Sequence, residues 1–155
     1  MQLLEHLEPL APSGYALAFH IRFTTPTFLL QTYPKAWTDL YSQNGYVMSD
    51  PTVAWGFEST GTARWSDLAP QSHPVMQASA DHGLVYGVTC AVETDGSRSL
   101  CSFSRADREF TDAETADLAD HVAELHRLTT GLDAFSPIAA ERLRKMSVRL
   151  THPGA

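Results

Sequence analysis

The feature that most constrains the fold is a hairpin signal, Asp95-Gly96, set between two stretches in which apolar and polar residues alternate. Aspartate followed by glycine tolerates the backbone angles that a two-residue hairpin turn needs. If these two residues form the whole turn, Glu93 lies opposite Arg98, and facing opposite charges stabilise that register. The sequence therefore predicts two antiparallel strands on either side of the turn.

The two faces of this predicted hairpin differ in character, because successive side chains of a strand point to opposite faces. One face is apolar and comprises Val88, Cys90, Val92, Cys101 and Phe103. The other face carries smaller and partly hydroxylated side chains, namely Thr89, Ala91, Leu100 and Ser102. The first face suits a packed core, whereas the second suits the wall of a cavity.

The rest of the chain carries strand and helix signals without a regular βαβ repeat. Leu17, Phe19, Ile21 and Phe23 alternate with small or polar residues, which predicts a strand, and residues 28–32 predict a second one. Capping and stop signals predict helices near the N-terminus and over residues 34–45, 51–61, 72–83, 111–131 and 138–150. This order indicates an α+β fold, an antiparallel sheet covered by helices.

Composition places the chain among ordinary globular proteins, since its 155 residues are 43% hydrophobic and 19% charged. A net charge of −7 argues against attraction to nucleic acid. No stretch approaches the roughly 20 apolar residues of a membrane span, and the N-terminus lacks the features of a signal peptide. We therefore expect a cytoplasmic protein, in which Cys90 and Cys101 stay free, buried thiols.

Known catalytic motifs are missing from the sequence: it has no phosphate-binding loop, no dinucleotide fingerprint and no nucleophile elbow. We therefore expect no enzymatic activity, no cofactor and no metal. Asp117, His121 and Glu124 share one flank of a predicted helix and could hold a metal, but a solvated face is the better interpretation. His20 is expected to point to solvent.

The remaining signal is a set of aromatic residues with polar tips close to an acid and two hydroxyls. The set is Tyr33, Trp37, Tyr41, Asp50, Trp65, Thr89 and Ser102. Tyr33, Trp37 and Tyr41 recur every four residues, which places them on one face of a helix. Asp50 precedes Pro51 as an N-cap precedes a first helical residue. Two interpretations stay open from the residues alone: a helix-to-sheet core with a capping acid, or a ligand pocket.

The stretch "YPKAWTDLYSQNGYVMSDPTV" at residues 33–53, Trp65, and the runs "GLVYGVT" and "SLCSFS" resemble a known family. They are similar to the autoinducer-binding domain of LuxR-type quorum-sensing regulators, and most closely to sensors of the LasR type. The resemblance covers about residues 1–135. It implies an α-β-α sandwich whose central five-stranded antiparallel sheet, flanked by helices, encloses a pocket for an N-acyl-homoserine lactone.

The resemblance also implies roles for individual side chains. Trp37 would donate its indole N–H to the lactone carbonyl, and Asp50 would accept from the amide N–H of the ligand. Tyr33 and Ser102 would hydrogen-bond the amide carbonyl. The expected ligand-binding set is Tyr33, Trp37, Tyr41, Asp50, Thr52, Val53, Trp65, Val75, Leu84, Thr89 and Ser102.

The same resemblance suggests how the chain is organised. Residues 1–135 are expected to form the autoinducer-binding domain, and residues 136–155 a C-terminal helix or linker tail with no helix-turn-helix domain. The expected partners are an acyl-homoserine lactone or similar small molecule and, in a dimer, a second copy or a LuxR-type regulator, with neither DNA nor membrane. The leading hypothesis is the ligand-sensing domain of a LuxR-type regulator. The alternative is a stand-alone dimerisation module that inhibits a full-length regulator of this type.

Overall fold

The computed structural model describes residues 3–23 and 25–132. The strands are β1 (Gly14–Arg22), β2 (Thr25–Gln31), β3 (Gly61–Arg64), β4 (Tyr86–Thr94) and β5 (Ser97–Arg105). They form a five-stranded antiparallel sheet in the order β2-β1-β5-β4-β3. The helices are α1 (Leu7–Leu10), α2 (Lys35–Gln43), α3 (Pro51–Glu58), α4 (Trp65–Leu68), α5 (Pro74–Asp81) and α6 (Asp112–Thr129). The predicted α+β fold class is confirmed.

The central hairpin, β4 and β5, has the predicted register. Glu93 pairs with Arg98, and their carboxylate and guanidinium groups lie 2.5 Å apart. Asp95 and Gly96 form the turn, and both have positive φ angles, 51° and 80°, which a two-residue turn of this hand requires. The turn residues and the charge pair therefore specify the same pairing.

One face of the sheet carries the main hydrophobic core and is covered by α1 and α6. Its fully buried members include Leu17, Phe19, Val88, Phe103, Leu118, Val122 and Leu125. Thr111 and Glu114 form the predicted capping box at the start of α6, each side chain accepting from the other's backbone N–H. Cys90 and Cys101 face each other in this core as free thiols, as predicted. Burial raises the pKa of Cys90 to about 12, which keeps this thiol protonated.

The opposite face of the sheet is covered by α2, α3, α4 and α5. A second hydrophobic cluster lies among these helices and comprises Trp37, Trp65, Val75, Met76 and Leu84. Gly56 lets α3 approach β5 closely, because a Cβ at this position would lie 2.2 Å from the Cδ1 atom of Leu100. The two layers of helices with the sheet between them form the sandwich that the resemblance implied.

Three details differ from the sequence pattern. The sequence predicted neither the short strand β3 nor the short helix α4 that follows it. Strand β2 begins at Thr25 rather than at residue 28, and it includes Pro26. A proline is tolerated there because β2 is an edge strand, whose outer N–H groups need no partner in the sheet. The predicted helix over residues 138–150 lies outside the described residues.

The prediction that His20 points to solvent is wrong. A register shift between Ala18 and Ile21 interrupts the pairing of β1 with β5, and His20 has a φ angle of 54°. The irregularity turns the ring inward, where it is 8% exposed and stacks on His126 with ring centroids 4.3 Å apart. Its Nδ1 atom lies 2.6 Å from the Ser97 hydroxyl, so this polar ring is buried with a partner.

Within residues 3–23 and 25–132, we find no helix whose length and apolar character would let it cross a bilayer.

Candidate functional site: a cavity between the sheet and the helices

A cavity of about 310 Å³ lies between the second face of the sheet and helices α2, α3 and α5. This volume is at the lower end of the range for small-molecule sites. Of the predicted ligand-binding residues, all except Thr89 line it. The other lining residues are Ala16, Ala18, Leu29, Gln31, Thr38, Ser42, Met76, Ser79 and Leu100. The sequence set therefore converges on one place in the fold.

The floor of the cavity is made by small side chains of the sheet. Ala16 pairs with Ser102, and Ala18 pairs with Leu100, across the junction of β1 and β5. Small side chains leave space that Leu, Ile or Phe would fill, and the cavity is the part of this space that the covering helices leave open. The two alanines were outside the predicted set, although their alternation with Leu17 and Phe19 places them on the cavity face.

Trp37 comes from α2 and forms one wall. Its side chain is 4% exposed, and its ring lies 5.6 Å from the ring of Tyr41 and 6.0 Å from that of Tyr46. In the part of the chain that the structure describes, its indole N–H makes no hydrogen bond. Because Trp37 lines the cavity, this donor is available to a molecule there.

Asp50 directly precedes α3 as its N-cap and carries the acceptor oxygens of the site. One oxygen caps α3, accepting from the backbone N–H of Thr52 at 2.9 Å and from its hydroxyl at 2.8 Å. The other oxygen accepts from the Tyr41 hydroxyl at 2.8 Å. Burial and the charge of Asp50 both raise the pKa of Tyr41, which keeps the phenol a donor. The acid therefore holds two walls together while lining the cavity.

Tyr33 and Ser102 lie together at the sheet side of the cavity. The Tyr33 hydroxyl donates to the backbone carbonyl oxygen of Ser102 over 3.4 Å, which is a long hydrogen bond. Burial, followed by the charge of Asp50, raises the pKa of Tyr33, so this phenol is also a neutral donor. Because its hydrogen bond within the protein is long and therefore weak, the Tyr33 hydroxyl can donate instead to a better placed acceptor in the cavity.

Thr89 was predicted to line the pocket, and the structure corrects this. Its side chain is fully buried behind Trp65, whose Nε1 donates to the Thr89 hydroxyl at 3.0 Å. The Thr89 hydroxyl also lies 2.8 Å from that of Ser102. The ring of Trp65 packs directly on Gly87, where a Cβ would lie 2.0 Å from ring atom Cδ2. Thr89 therefore supports the cavity wall from behind.

The alternative metal site on α6 has no support within residues 3–23 and 25–132, where no group of three or more His, Cys, Asp or Glu residues is arranged to hold a metal ion. Glu124 pairs with Arg127, and the His121 ring contacts the carbonyl oxygen of Asp117 at 2.8 Å. The Asp117 and Glu124 side chains are largely exposed, whereas the His121 side chain is 15% exposed and packs on the ring of His6.

A sequence profile described as "Autoinducer binding domain" matches residues 15–130. The chain therefore belongs to the autoinducer-binding domain family, and the predicted family is confirmed.

Two regulators are similar to this chain in sequence. The chain is 31% identical to the HTH-type quorum-sensing regulator RhlR of Pseudomonas aeruginosa over 108 residues, which make up 68% of this chain and 45% of RhlR. It is 34% identical to the regulatory protein SdiA of Escherichia coli over 71 residues, 44% of this chain and 30% of SdiA. The matches thus span less than half the length of either regulator.

Solved structures of the same kind share the fold. SdiA in complex with octanoyl-rac-glycerol aligns with a TM-score of 0.61 and 24% identity, covering 87% of this chain and 62% of that one. The LuxR family transcription factor CepR2 of Burkholderia cenocepacia, described as N-acylhomoserine lactone dependent, aligns with a TM-score of 0.57 and 19% identity, covering 84% of this chain and 75% of CepR2. Because both identities are below 25%, these similarities show a shared fold alone.

Proposed function

We propose that this domain binds an N-acyl-homoserine lactone, or a closely related acylated small molecule, without covalent chemistry. The observation that carries the proposal is the set of polar groups around one largely apolar cavity. Trp37, Tyr33 and Ser102 offer donors, and Asp50 offers the acceptor. An acyl-homoserine lactone has a lactone carbonyl, an amide carbonyl and a single amide N–H, so its polar groups match this set in kind.

The proposed contacts follow from that match. The indole N–H of Trp37 donates to the lactone carbonyl, and Asp50 accepts from the amide N–H. Tyr33 and Ser102 serve the amide carbonyl. Matching matters because each buried polar group left without a partner costs about 1–3 kcal/mol.

The apolar part of the ligand lies against the remaining lining. Val53 of α3, Val75 of α5 and Leu84 line the cavity and are the proposed contacts of the acyl chain. Each methylene buried there contributes about 0.8 kcal/mol. Tyr41, Thr52 and Trp65 complete the walls.

The test is calorimetric titration and thermal unfolding with a panel of acyl-homoserine lactones, from butanoyl to dodecanoyl. A ligand that binds only the folded state stabilises it by about 2.7 kcal/mol at 100 times its Kd, so the melting temperature should rise. Failure of every lactone to shift the melting temperature at saturation would contradict the proposal.

A matched pair of variants localises the binding. Trp37→Phe removes the free indole donor and should weaken binding roughly 5- to 150-fold, the equivalent of about 1–3 kcal/mol. Trp55→Phe is the control, because it makes the same change on α3 at a residue that does not line the cavity. Equal losses in the two variants would argue against the assigned role of Trp37.

Several finer expectations belong to the same proposal and rest on the resemblance. They are the likeness to LasR-type sensors in particular, a dimer with a second copy or with a LuxR-type regulator, the absence of catalysis, and a cytoplasmic location. Light scattering with and without lactone measures the oligomeric state, and analysis of the incubated lactone for ring-opened product measures hydrolysis.

A further inference from the structure

Trp65 and Ser102 both line the cavity, and Thr89, which lies behind the wall, connects them by hydrogen bonds. The Trp65 indole N–H donates to the Thr89 hydroxyl at 3.0 Å, and the Thr89 and Ser102 hydroxyl oxygens lie 2.8 Å apart. Thr89 is fully buried, whereas Ser102 lines the cavity. The oxygen positions alone leave open which hydroxyl donates in the second bond.

The direction of that second bond follows from counting donors and acceptors. An indole N–H can only donate, so the Thr89 hydroxyl accepts from Trp65. The hydrogen of the Thr89 hydroxyl still needs an acceptor. Among the described residues, the Ser102 hydroxyl is the one acceptor within hydrogen-bonding distance of it. Because a buried hydroxyl hydrogen without an acceptor is unfavourable, Thr89 donates to Ser102.

Donation by Thr89 determines the role of the Ser102 hydroxyl. Its oxygen accepts from Thr89, and its own hydrogen has no protein acceptor within residues 3–23 and 25–132. A hydroxyl that already accepts a hydrogen bond is also a stronger donor, because bonds in a chain polarise one another. Ser102 therefore presents a donor to the cavity, although an isolated serine hydroxyl could equally accept.

We propose that Trp65 and Thr89 are positioning residues that fix Ser102 as a hydrogen-bond donor, so that the site selects a ligand with a strong acceptor at this point. The inference rests on the proposed function, in which the acceptor is the amide oxygen of an acyl-homoserine lactone. It gives Thr89, which does not line the cavity, a part in ligand selectivity.

The test compares two probes on three proteins by calorimetric titration of the full 155-residue chain. The probes are N-octanoyl-homoserine lactone and its thioamide analogue, in which sulfur, a weak acceptor, replaces the amide oxygen. The proteins are the wild type, Thr89→Val, which keeps the branched shape without the hydroxyl, and Thr89→Ser, which keeps the hydroxyl.

We expect the wild type and Thr89→Ser to prefer the amide over the thioamide several-fold. In Thr89→Val, amide affinity should fall roughly two- to tenfold, and the preference should fall toward one. Weakening of both probes by the same factor would show a merely structural role and overturn the inference. Unchanged amide affinity would overturn it as well.

A measurement without ligand separates this inference from the proposed function. In proton NMR of the wild type, the Thr89 hydroxyl hydrogen should exchange slowly with water, while the Ser102 hydroxyl hydrogen should exchange fast. A slowly exchanging hydroxyl hydrogen on Ser102 would show that Ser102 donates to Thr89, and it would refute the inference. Failure of both probes to bind the wild type, with the exchange pattern as expected, would refute the proposed function and leave the hydrogen-bond relay standing.

Discussion

Asp50→Asn is expected to separate two tasks that the structure gives to one side chain. Asp50 caps α3 with one oxygen, and with the other it accepts from Tyr41 beside the cavity. Asparagine caps helices as well as aspartate does, so its oxygen keeps the bonds to Thr52. The second oxygen becomes an NH₂ group, which can only donate. The variant therefore keeps the cap and loses the second acceptor oxygen, the one that the proposed function assigns to the amide N–H of the ligand.

The magnitudes of the two effects differ. The Tyr41 hydroxyl can turn and accept from the new NH₂ group, so one charge-assisted bond becomes neutral, and the free energy of unfolding should fall by about 1 kcal/mol. The amide N–H of the ligand has no such alternative and meets a donor. Losing a hydrogen bond to a charged group costs about 1.5–3 kcal/mol, which corresponds to roughly 10- to 150-fold weaker binding.

The assays are urea unfolding followed by circular dichroism and calorimetric titration with N-octanoyl-homoserine lactone. Asp50→Ala is the matched control, because it removes the cap, worth about 1 kcal/mol, and also leaves the Tyr41 hydroxyl without its acceptor. It should lose affinity and clearly more stability than Asp50→Asn. The reasoning is refuted if Asp50→Asn binds like the wild type, or if it is destabilised as much as Asp50→Ala.

Two further predictions concern stability away from the ligand. Burial lowers the pKa of both His20 and His126 below the ordinary value of 6.5, so the unfolded chain takes up protons at a higher pH than the folded one. The contribution of these two histidines to the free energy of unfolding should be fully present above pH 6.5 and should fall as the pH drops below it. Urea unfolding midpoints measured on both sides of pH 6.5 would show the loss. A midpoint that does not change with pH would contradict the prediction. Gly87→Ala places a Cβ against the Trp65 ring and should lower the free energy of unfolding by about 1–3 kcal/mol, whereas unchanged stability would show that the ring can shift without loss.

The parts of the fold that the sequence predicts well are those set by neighbouring residues. Asp95-Gly96 and the pair Glu93–Arg98 fix the hairpin register, because the turn and the first charge pair lie within a few residues of each other. The N-cap at Asp50 is local in the same sense. These elements need no information from distant parts of the chain.

The elements that the sequence missed depend on distant contacts. Strand β3 has four residues, too few for a clear alternation, and it is defined by its pairing with β4, in which Gly61 lies opposite Ala91. His20 sits at a polar position of an alternating strand, and the irregularity in β1 that turns it inward has no sequence signal. Its partners Ser97 and His126 come from far along the chain.

At the site, the sequence predicts which face of the sheet a residue lies on but not whether its side chain reaches the cavity. Alternation correctly assigns Thr89 and Ser102 to the same face of the hairpin, but it does not tell which of the two reaches the cavity. That depends on Trp65, which packs on Gly87 and covers Thr89. Helical spacing and polar tips singled out Trp37 and Tyr41 on α2, whereas the inclusion of Thr52 and Val53 on α3 came from the resemblance. The convergence of these residues on one cavity is visible only in three dimensions.

The polar tips of the aromatic residues are used in two different ways. The Tyr41 hydroxyl and the Trp65 indole N–H bind Asp50 and Thr89, so these tips hold the walls of the cavity in place. The indole N–H of Trp37 has no partner within the described residues and is left for a ligand. Tips bonded within the protein hold the walls and, in the proposed arrangement, set the direction in which Ser102 donates, whereas the unbonded tip is the one proposed to contact the ligand. Substitutions at Tyr41 or Trp65 should therefore change both stability and selectivity, whereas Trp37→Phe should act mainly on affinity.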